Sequence, residues 1–106
     1  MAIKTETFKK VSEPWGESLK IFENKQKHFV VGLFTVTPNK SMQIHTHDEA
    51  DELIYVLEGK ASYLVGKQEA ELNQGSAILV PQKIEHKFFN NGSSEYKCLY
   101  IVGNIK

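Results

Sequence analysis

The stretch from Ile44 to Gly59, IHTHDEADELIYVLEG, decides how the rest of the sequence is interpreted. His45 and His47 stand one residue apart and are followed by an acidic run and then by an apolar segment. Residues two apart on a β-strand project from the same face. The two histidines are therefore predicted to lie side by side, close enough to share one metal ion. The alternative is a pair of polar histidines on a solvated strand.

Short strand-like segments separated by turn residues run through the whole chain. LKIF (19–22), the polar ENKQK (23–27) and HFVVGLFTV (28–36) form a pattern typical of a hairpin. Asn91-Gly92 is a further hairpin signal, because both residues tolerate positive φ. ELIYVLEG (52–59) is apolar on both faces, so this strand is expected to be buried on both sides. Roughly eight to ten such segments predict an all-β barrel or sandwich.

The composition fits one soluble domain over residues 1–106. Lys plus Arg and Asp plus Glu both number 13, which gives no electrostatic case for nucleic acid or for an anionic membrane surface. The N-terminus lacks the apolar core of a signal peptide, and no apolar run has the length of a membrane span. Cys98 is the only cysteine, which excludes an internal disulfide, and it is expected to pack as a small hydrophobe. We expect a cytoplasmic protein whose partner is a small molecule or a second copy of the chain.

Two residues elsewhere complete a candidate ligand set. DEAD (48–51) is predicted to be a turn that resets the strand alternation, so that Glu52 points back toward the two histidines. His86 begins the segment HKFF after a second turn, and its side chain is predicted to point inward. Three imidazoles and one carboxylate suit a divalent transition metal such as iron, manganese, nickel, copper or zinc. Magnesium and calcium fit less well, because they prefer oxygen ligands.

Other assignments of these residues stay open. Asp48, Glu49 and Asp51 are competing carboxylates that are expected to form a solvated acidic loop at the mouth of the site. Asp51 could replace Glu52 if the turn is shifted by one residue. For His86, the alternative is a surface histidine after a turn.

Two segments resemble the two sequence motifs of the cupin superfamily. The first is His45-Thr46-His47-x4-Glu52-x6-Gly59, and the second is Gly75-x5-Pro81-x-Lys83-x2-His86-x3-Asn90. Asn39 and Lys83 stand where these motifs usually have glycine. Asparagine also tolerates left-handed turn geometry. At Lys83 the turn must be built differently or bear local strain.

The resemblance implies a small double-stranded β-helix, or jelly-roll barrel, with a metal ion inside. It implies that the metal is bound by His45, His47, Glu52 and His86. Gly59, Gly75, Pro81 and Asn90 match structural anchors of the motifs and are given no chemistry. The side chains expected to line a substrate pocket are Ile54, Val56, Tyr63 and Phe88.

Several functions are compatible with such a site. Four protein ligands on an octahedral metal leave two positions for water, dioxygen or substrate. A small metalloenzyme is our first expectation, with dioxygenase-like chemistry ahead of isomerase, decarboxylase or lyase activity. A non-catalytic binding or sensing protein is the second. A sugar isomerase or epimerase is the third, but the chain has no arginine, the usual means of holding phosphate.

A lone barrel leaves strand edges that need protection from pairing with other chains. Pairing of N-terminal strands across a two-fold axis would cover these edges, so we expect a homodimer. The N-terminal segment (1–25) is expected to pack on the barrel or on the partner. Pro14-Trp15 is the part of it that resembles a docking segment.

Overall fold

The chain folds into two antiparallel β-sheets that face each other. A computed structural model describes residues 9–44 and 50–104. This part of the chain has one turn of 3-10 helix, Lys25–Lys27, and no helix long and apolar enough to cross a membrane. Its ten strands are β1 (Val11–Glu13), β2 (Gly16–Asn24), β3 (Phe29–Val36), β4 (Ser41–Ile44), β5 (Asp51–Glu58), β6 (Lys60–Val65), β7 (Gln68–Asn73), β8 (Ala77–Val80), β9 (His86–Phe89) and β10 (Tyr96–Gly103).

The order of the strands shows a jelly roll. One sheet has six strands in the order β1-β2-β3-β10-β5-β8, and the other has four in the order β4-β9-β6-β7. The chain crosses between the sheets before and after β4, between β5 and β6, and at each connection from β7 to β10. Repeated crossing between two antiparallel sheets defines the jelly-roll, or double-stranded β-helix, arrangement. The predicted all-β fold is confirmed.

The predicted hairpin between β2 and β3 is confirmed. The two strands pair from Gly16 opposite Val36 to Asn24 opposite Phe29. At the turn, the Asn24 side chain accepts a hydrogen bond from the Lys27 backbone N–H at 3.3 Å. His28 then adopts a left-handed backbone conformation, which returns the chain into β3.

The hairpin predicted at Asn91-Gly92 is wrong. β9 pairs with β4 and β6, whereas β10 pairs with β3 and β5, so the two strands belong to different sheets. The buried Asn90 side chain accepts a hydrogen bond from Gly92 N at 3.0 Å. Its amide nitrogen donates to the carbonyl oxygens of Val36 and Ser94. These bonds hold an open crossing between sheets, where the sequence pattern suggests a tight turn.

The space between the sheets contains one apolar core. Cys98 lies within it, fully buried, as expected from its sequence context. Burial raises the pKa of the Cys98 thiol to about 12, although its hydrogen bond with Tyr96 acts in the opposite direction. The Tyr96 hydroxyl donates to the Leu72 carbonyl oxygen at 2.9 Å and so links the two sheets. Core residues include Phe34, Val36, Met42, Ile54, Val56, Ala61, Leu72, Val80, Phe88, Tyr96 and Cys98.

The prediction that β5 is buried on both faces is wrong. Ile54 and Val56 have no exposed surface, whereas Tyr55 and Leu57 on the other face are each 41% exposed. The four-stranded sheet covers only the inner face of the six-stranded sheet, which explains the difference. Apolar side chains of β5 therefore remain on the outer surface of the described chain.

The turns around the two motifs depend on residues with positive φ. Asn39 has φ of 65°, as expected for an asparagine in place of glycine. Lys83 has φ of 67°, so its turn keeps left-handed geometry and bears the strain of a side chain there. Gly59 has φ of 93°, and an added Cβ would lie 2.8 Å from the Glu95 carbonyl oxygen. A side chain is therefore excluded at Gly59.

Candidate metal centre and adjoining cavity

Glu52 and His86 form a buried pair between the two sheets. Glu52 lies at the start of β5 and His86 at the start of β9, so each sheet contributes one residue. The residues are 3% and 2% exposed, and Glu52 Oε1 lies 3.1 Å from His86 Nε2. Ile54 and Val56 are buried on the same side of β5 as Glu52, as the strand alternation predicts.

The surroundings of His86 orient its imidazole. Its Nδ1 lies 3.3 Å from the carbonyl oxygen of Ile84 and donates a hydrogen bond to it in the tautomer that has a proton on Nδ1. The Phe88 ring meets the imidazole edge-on, with ring centroids 6.4 Å apart. Nε2 faces Glu52 Oε1, and a hydrogen bond between these two atoms requires a proton on Nε2 or on the carboxyl group. Metal-binding histidines commonly donate their other ring N–H to a carbonyl in this way.

The other two predicted ligands, His45 and His47, lie outside the described residues. β4 pairs with β9 as far as Ile44, which stands opposite His86. Among the side chains that the structure describes, no group of three His, Cys, Asp or Glu residues meets. The described part of the site is therefore the pair of Glu52 and His86.

The neighbouring carboxylates fall into two groups. Asp48 and Glu49 lie outside the described residues. Asp51 is buried, and its Oδ1 accepts a hydrogen bond from the Gln82 backbone N–H at 3.1 Å. The expectation that Asp51 belongs to a solvated loop is wrong, because this carboxylate joins β5 to the segment after β8. Glu52, not Asp51, lies against His86.

The four residues expected to line a substrate pocket lie in or against the apolar core. Ile54, Val56 and Phe88 are fully buried there. Tyr63 is partly buried, and its ring centroid is 6.4 Å from that of Phe88. This packing leaves their role in ligand binding as a prediction.

A cavity of about 190 Å³ opens beside Glu52 and has a different lining. The Trp15 ring, from the turn between β1 and β2, meets the Phe34 ring edge-on, with centroids 6.3 Å apart. The sequence pattern did not single out Trp15 or Tyr100 for this cavity, because strand alternation alone does not show which inward residues border empty space. The lining residues are Trp15, Ser18, Phe34, Met42, Glu52, Tyr100 and Val102.

Tyr100 lies flat across a glycine of the neighbouring strand. It is paired with Gly32 on β3 and with Ile54 on β5. A Cβ atom at Gly32 would lie 2.4 Å from the Tyr100 hydroxyl oxygen, so the ring occupies the space that a side chain would fill. Burial raises the pKa of Tyr100, and the negative charges of Glu52 and Glu23 raise it further. The phenol is therefore neutral and able to donate a hydrogen bond near the cavity.

Comparison with known proteins agrees with the sequence motifs and the topology. SchB of Streptomyces halstedii is 26% identical over 75 residues, which cover 71% of this chain and 54% of that protein. The chain spans about half the length of the curated relatives it matches. A predicted oxalate decarboxylase from Thermotoga maritima superposes with a TM-score of 0.81 at 15% identity, covering 99% of this chain and 100% of that one.

A second solved structure, FeII HppE, has a TM-score of 0.82 at 18% identity and covers 96% of this chain and 60% of that one. At these identities, the structural matches show the fold alone. The family model described as "Cupin domain" matches residues 32–102, well over half of the chain. The chain therefore belongs to the cupin domain family.

Proposed function

We propose that the protein binds one divalent transition metal ion through His45, His47, Glu52 and His86. The observation that carries this proposal is the buried pair of Glu52 and His86. Two ligands at right angles on one metal, each about 2.1 Å from it, are about 3 Å apart. The separation of 3.1 Å between Oε1 and Nε2 fits that geometry. The hydrogen bond from Nδ1 to the Ile84 carbonyl leaves Nε2 as the coordinating atom.

The path of β4 supports the inclusion of the two remaining histidines. β4 pairs with β9 until Ile44 stands opposite His86, so the chain reaches the pair one residue before His45. The donor set is mostly imidazole, which favours iron, manganese, nickel, copper or zinc over magnesium and calcium. FeII HppE, which has the same fold, is named with an iron ion.

We propose further that the metal site acts on a small organic molecule, with dioxygenase-like chemistry as the first choice. A bound divalent metal would supply Lewis acidity and open coordination positions. The residues of the chain would hold the substrate beside it: Trp15 and Phe34 enclose the cavity, and Tyr100 can donate a hydrogen bond. A substrate bound against these apolar walls would displace water, which would strengthen electrostatic interactions beside the metal.

Elemental analysis of purified protein tests the metal proposal. We expect about one metal ion per chain in the wild type, and at least about tenfold less in His47→Ala and Glu52→Gln. His28→Ala is the matched control, because His28 is the one histidine outside the proposed set. Equal metal content in all four proteins would contradict the proposal. Iron or manganese would favour the oxygenase assignment, and zinc or nickel would favour Lewis-acid chemistry.

A non-catalytic binding or sensing role is the second candidate, and the lining of the cavity favours it. Among the described lining residues, Glu52 and Tyr100 are the two that titrate, and Glu52 is a proposed ligand. That leaves Tyr100 as the acid–base group on this wall. Incubation of metal-loaded protein with phenols and diketones separates the two roles. Oxygen consumption or an altered product supports the enzyme, and tight binding with unchanged recovery supports the sensor.

We also propose a homodimer. The outer face of the six-stranded sheet carries apolar side chains in a region with no covering element in the described chain, and such patches commonly mark interfaces. The exposed or partly exposed residues on this face include Leu33, Tyr55, Leu57, Leu79, Leu99 and Ile101.

Light scattering tests this proposal. We expect about twice the chain mass of 12.1 kDa for the wild type, and a shift toward monomer for Leu57→Lys. Leu64→Lys is the control, because Leu64 is similarly exposed but lies on the other sheet. A wild-type particle of 12.1 kDa at micromolar concentration would rule out the dimer.

A further inference from the structure

We infer that the cavity beside Glu52 binds one single-ring aromatic molecule, and that Tyr100, seated on Gly32, limits the size of that ring. The cavity and its lining carry this inference. Only the direction in which the ligand's polar atom points rests on the proposed metal function, since that atom would face Glu52 and the metal.

The size of the cavity selects the ligand class. A dry apolar cavity of about 150 Å³ is known to hold one benzene molecule. The cavity here has about 190 Å³, enough for one six-membered ring with one or two small substituents. A second fused ring would extend beyond the volume that the described walls surround. The expected ligands are therefore of the size of phenol or catechol.

The walls of the cavity match an aromatic ring. Phe34 lies between the Trp15 ring, edge-on at 6.3 Å, and the Tyr100 ring, tilted at 6.1 Å. Met42 adds a polarisable thioether to the lining. Aromatic and thioether groups contact the face and edge of a bound ring favourably.

The cavity also offers polar groups to a substituent on the ring. The hydroxyls of Tyr100 and Ser18 belong to the lining, and each can donate or accept a hydrogen bond with a hydroxyl group of the ligand.

The absence of a side chain at Gly32 lets the Tyr100 ring lie against the sheet and leaves the cavity open. The Tyr100 ring lies against the backbone of β3, where a Cβ atom on residue 32 would meet its Oη, Cζ and Cε1 atoms at 2.4 to 2.6 Å. Gly32→Ala would lift the ring off the sheet. Because the inner side of the sheet faces the cavity, the displaced ring would occupy part of the ligand's space.

Trp15 provides the readout, because it is the only tryptophan and it lines the cavity. Its emission is titrated with phenol and 2-naphthol, in metal-loaded protein and after removal of metal with a chelator. We expect saturable changes with phenol, and binding of 2-naphthol at least about tenfold weaker. Phenol binding should weaken about tenfold in Gly32→Ala.

Ser18→Leu is a second variant, which places a larger side chain in the cavity from β2 and leaves the contact between Gly32 and Tyr100 unchanged. It should also weaken phenol binding. Leu64→Lys, at an exposed position on the other sheet, is the control and should bind phenol like the wild type. Metal-loaded protein without a saturable response to phenol would overturn the inference, as would equal responses in all variants. A response to phenol in protein that takes up no metal when metal is added would support the cavity and contradict the proposed metal function.

Discussion

Asn90 offers a sharp test of how the fold supports the site. Its side chain is fully buried and makes three hydrogen bonds. Nδ2 donates to Val36 O at 2.8 Å and to Ser94 O at 2.9 Å, and Oδ1 accepts from Gly92 N at 3.0 Å. The bonds connect the end of β9, which begins at His86, to the end of β3. Loss of the side chain should therefore weaken the whole fold and the placement of His86.

The expected cost follows from these bonds. Each buried hydrogen bond contributes about 1 kcal/mol net, so Asn90→Ala should lower the free energy of unfolding by about 3 kcal/mol. Asn90→Asp has nearly the same shape, but it replaces two donated hydrogen bonds by repulsion between oxygens. It should cost about 4 kcal/mol or more at pH 7, since folding must also either protonate the carboxyl group or bury its charge. A loss of 3 kcal/mol lowers Tm by roughly 15 °C in a domain of this size.

The pH dependence adds a signed prediction. Burial against two carbonyl oxygens raises the pKa of the introduced carboxyl above its unfolded value. The folded state of Asn90→Asp then holds a proton that the unfolded state releases. Its stability relative to wild type should therefore increase as the pH falls from 7 toward 5, by up to about 1.4 kcal/mol per pH unit.

Urea unfolding, followed by tryptophan fluorescence and circular dichroism, measures these changes. Asn91→Asp is the matched control, because Asn91 is exposed and its hydrogen bond to Ser62 lies at the surface. We expect less than about 0.5 kcal/mol for this control. An Asn90→Asp protein within 0.5 kcal/mol of wild type, or one no less stable than Asn91→Asp, would refute the reasoning.

Three further predictions concern single residues. Lys83→Gly should stabilise the fold by about 0.5 kcal/mol in urea unfolding, because it removes the strain of a side chain on a left-handed backbone. The control Lys87→Gly, within β9, should destabilise the fold, and equal effects of the two changes would contradict this account. Tyr96→Phe should lower the free energy of unfolding by about 1 to 2 kcal/mol, because it removes the hydrogen bond to Leu72, and an unchanged urea midpoint would argue against that link. Cys98, with a pKa of about 12, should resist thiol reagents at pH 8 until the protein unfolds, because only about one thiol in ten thousand is ionised in the folded protein at that pH. Rapid labelling of the folded protein would contradict the burial of this thiol. Since that pKa is raised above its ordinary value of 9.0, stability should also fall as the pH rises from 9 toward 12, and less so in Cys98→Val.

The strand pattern and the motif spacing predicted the fold and the contact between Glu52 and His86. Alternation on β5 placed Glu52 with Ile54 and Val56, and alternation on β9 placed His86 with Phe88; both sides are buried as expected. These predictions depend on local strand geometry, which the sequence determines directly. The contact between Glu52 and His86, 34 residues apart, required the motif resemblance as well.

Other features depend on which strands become neighbours, and local sequence does not determine that. Asn91-Gly92 has the chemistry of a tight turn, but Asn90 captures Gly92 N and the chain crosses to the other sheet. The outer face of β5 is as apolar as its inner face, but no second layer covers Tyr55 in the described chain. Trp15 borders the cavity because the turn after β1 folds over Phe34, a contact between residues 19 positions apart.

The central claim is that Glu52 and His86 bind the same metal ion together with His45 and His47. Anomalous diffraction from crystals of the metal-loaded protein, collected at the absorption edge of the metal found by elemental analysis, tests it most directly. The account predicts one strong peak per chain, about 2.0 to 2.2 Å from both Glu52 Oε1 and His86 Nε2. A peak elsewhere, or metal-free density with these two atoms still joined by their direct hydrogen bond, would contradict it.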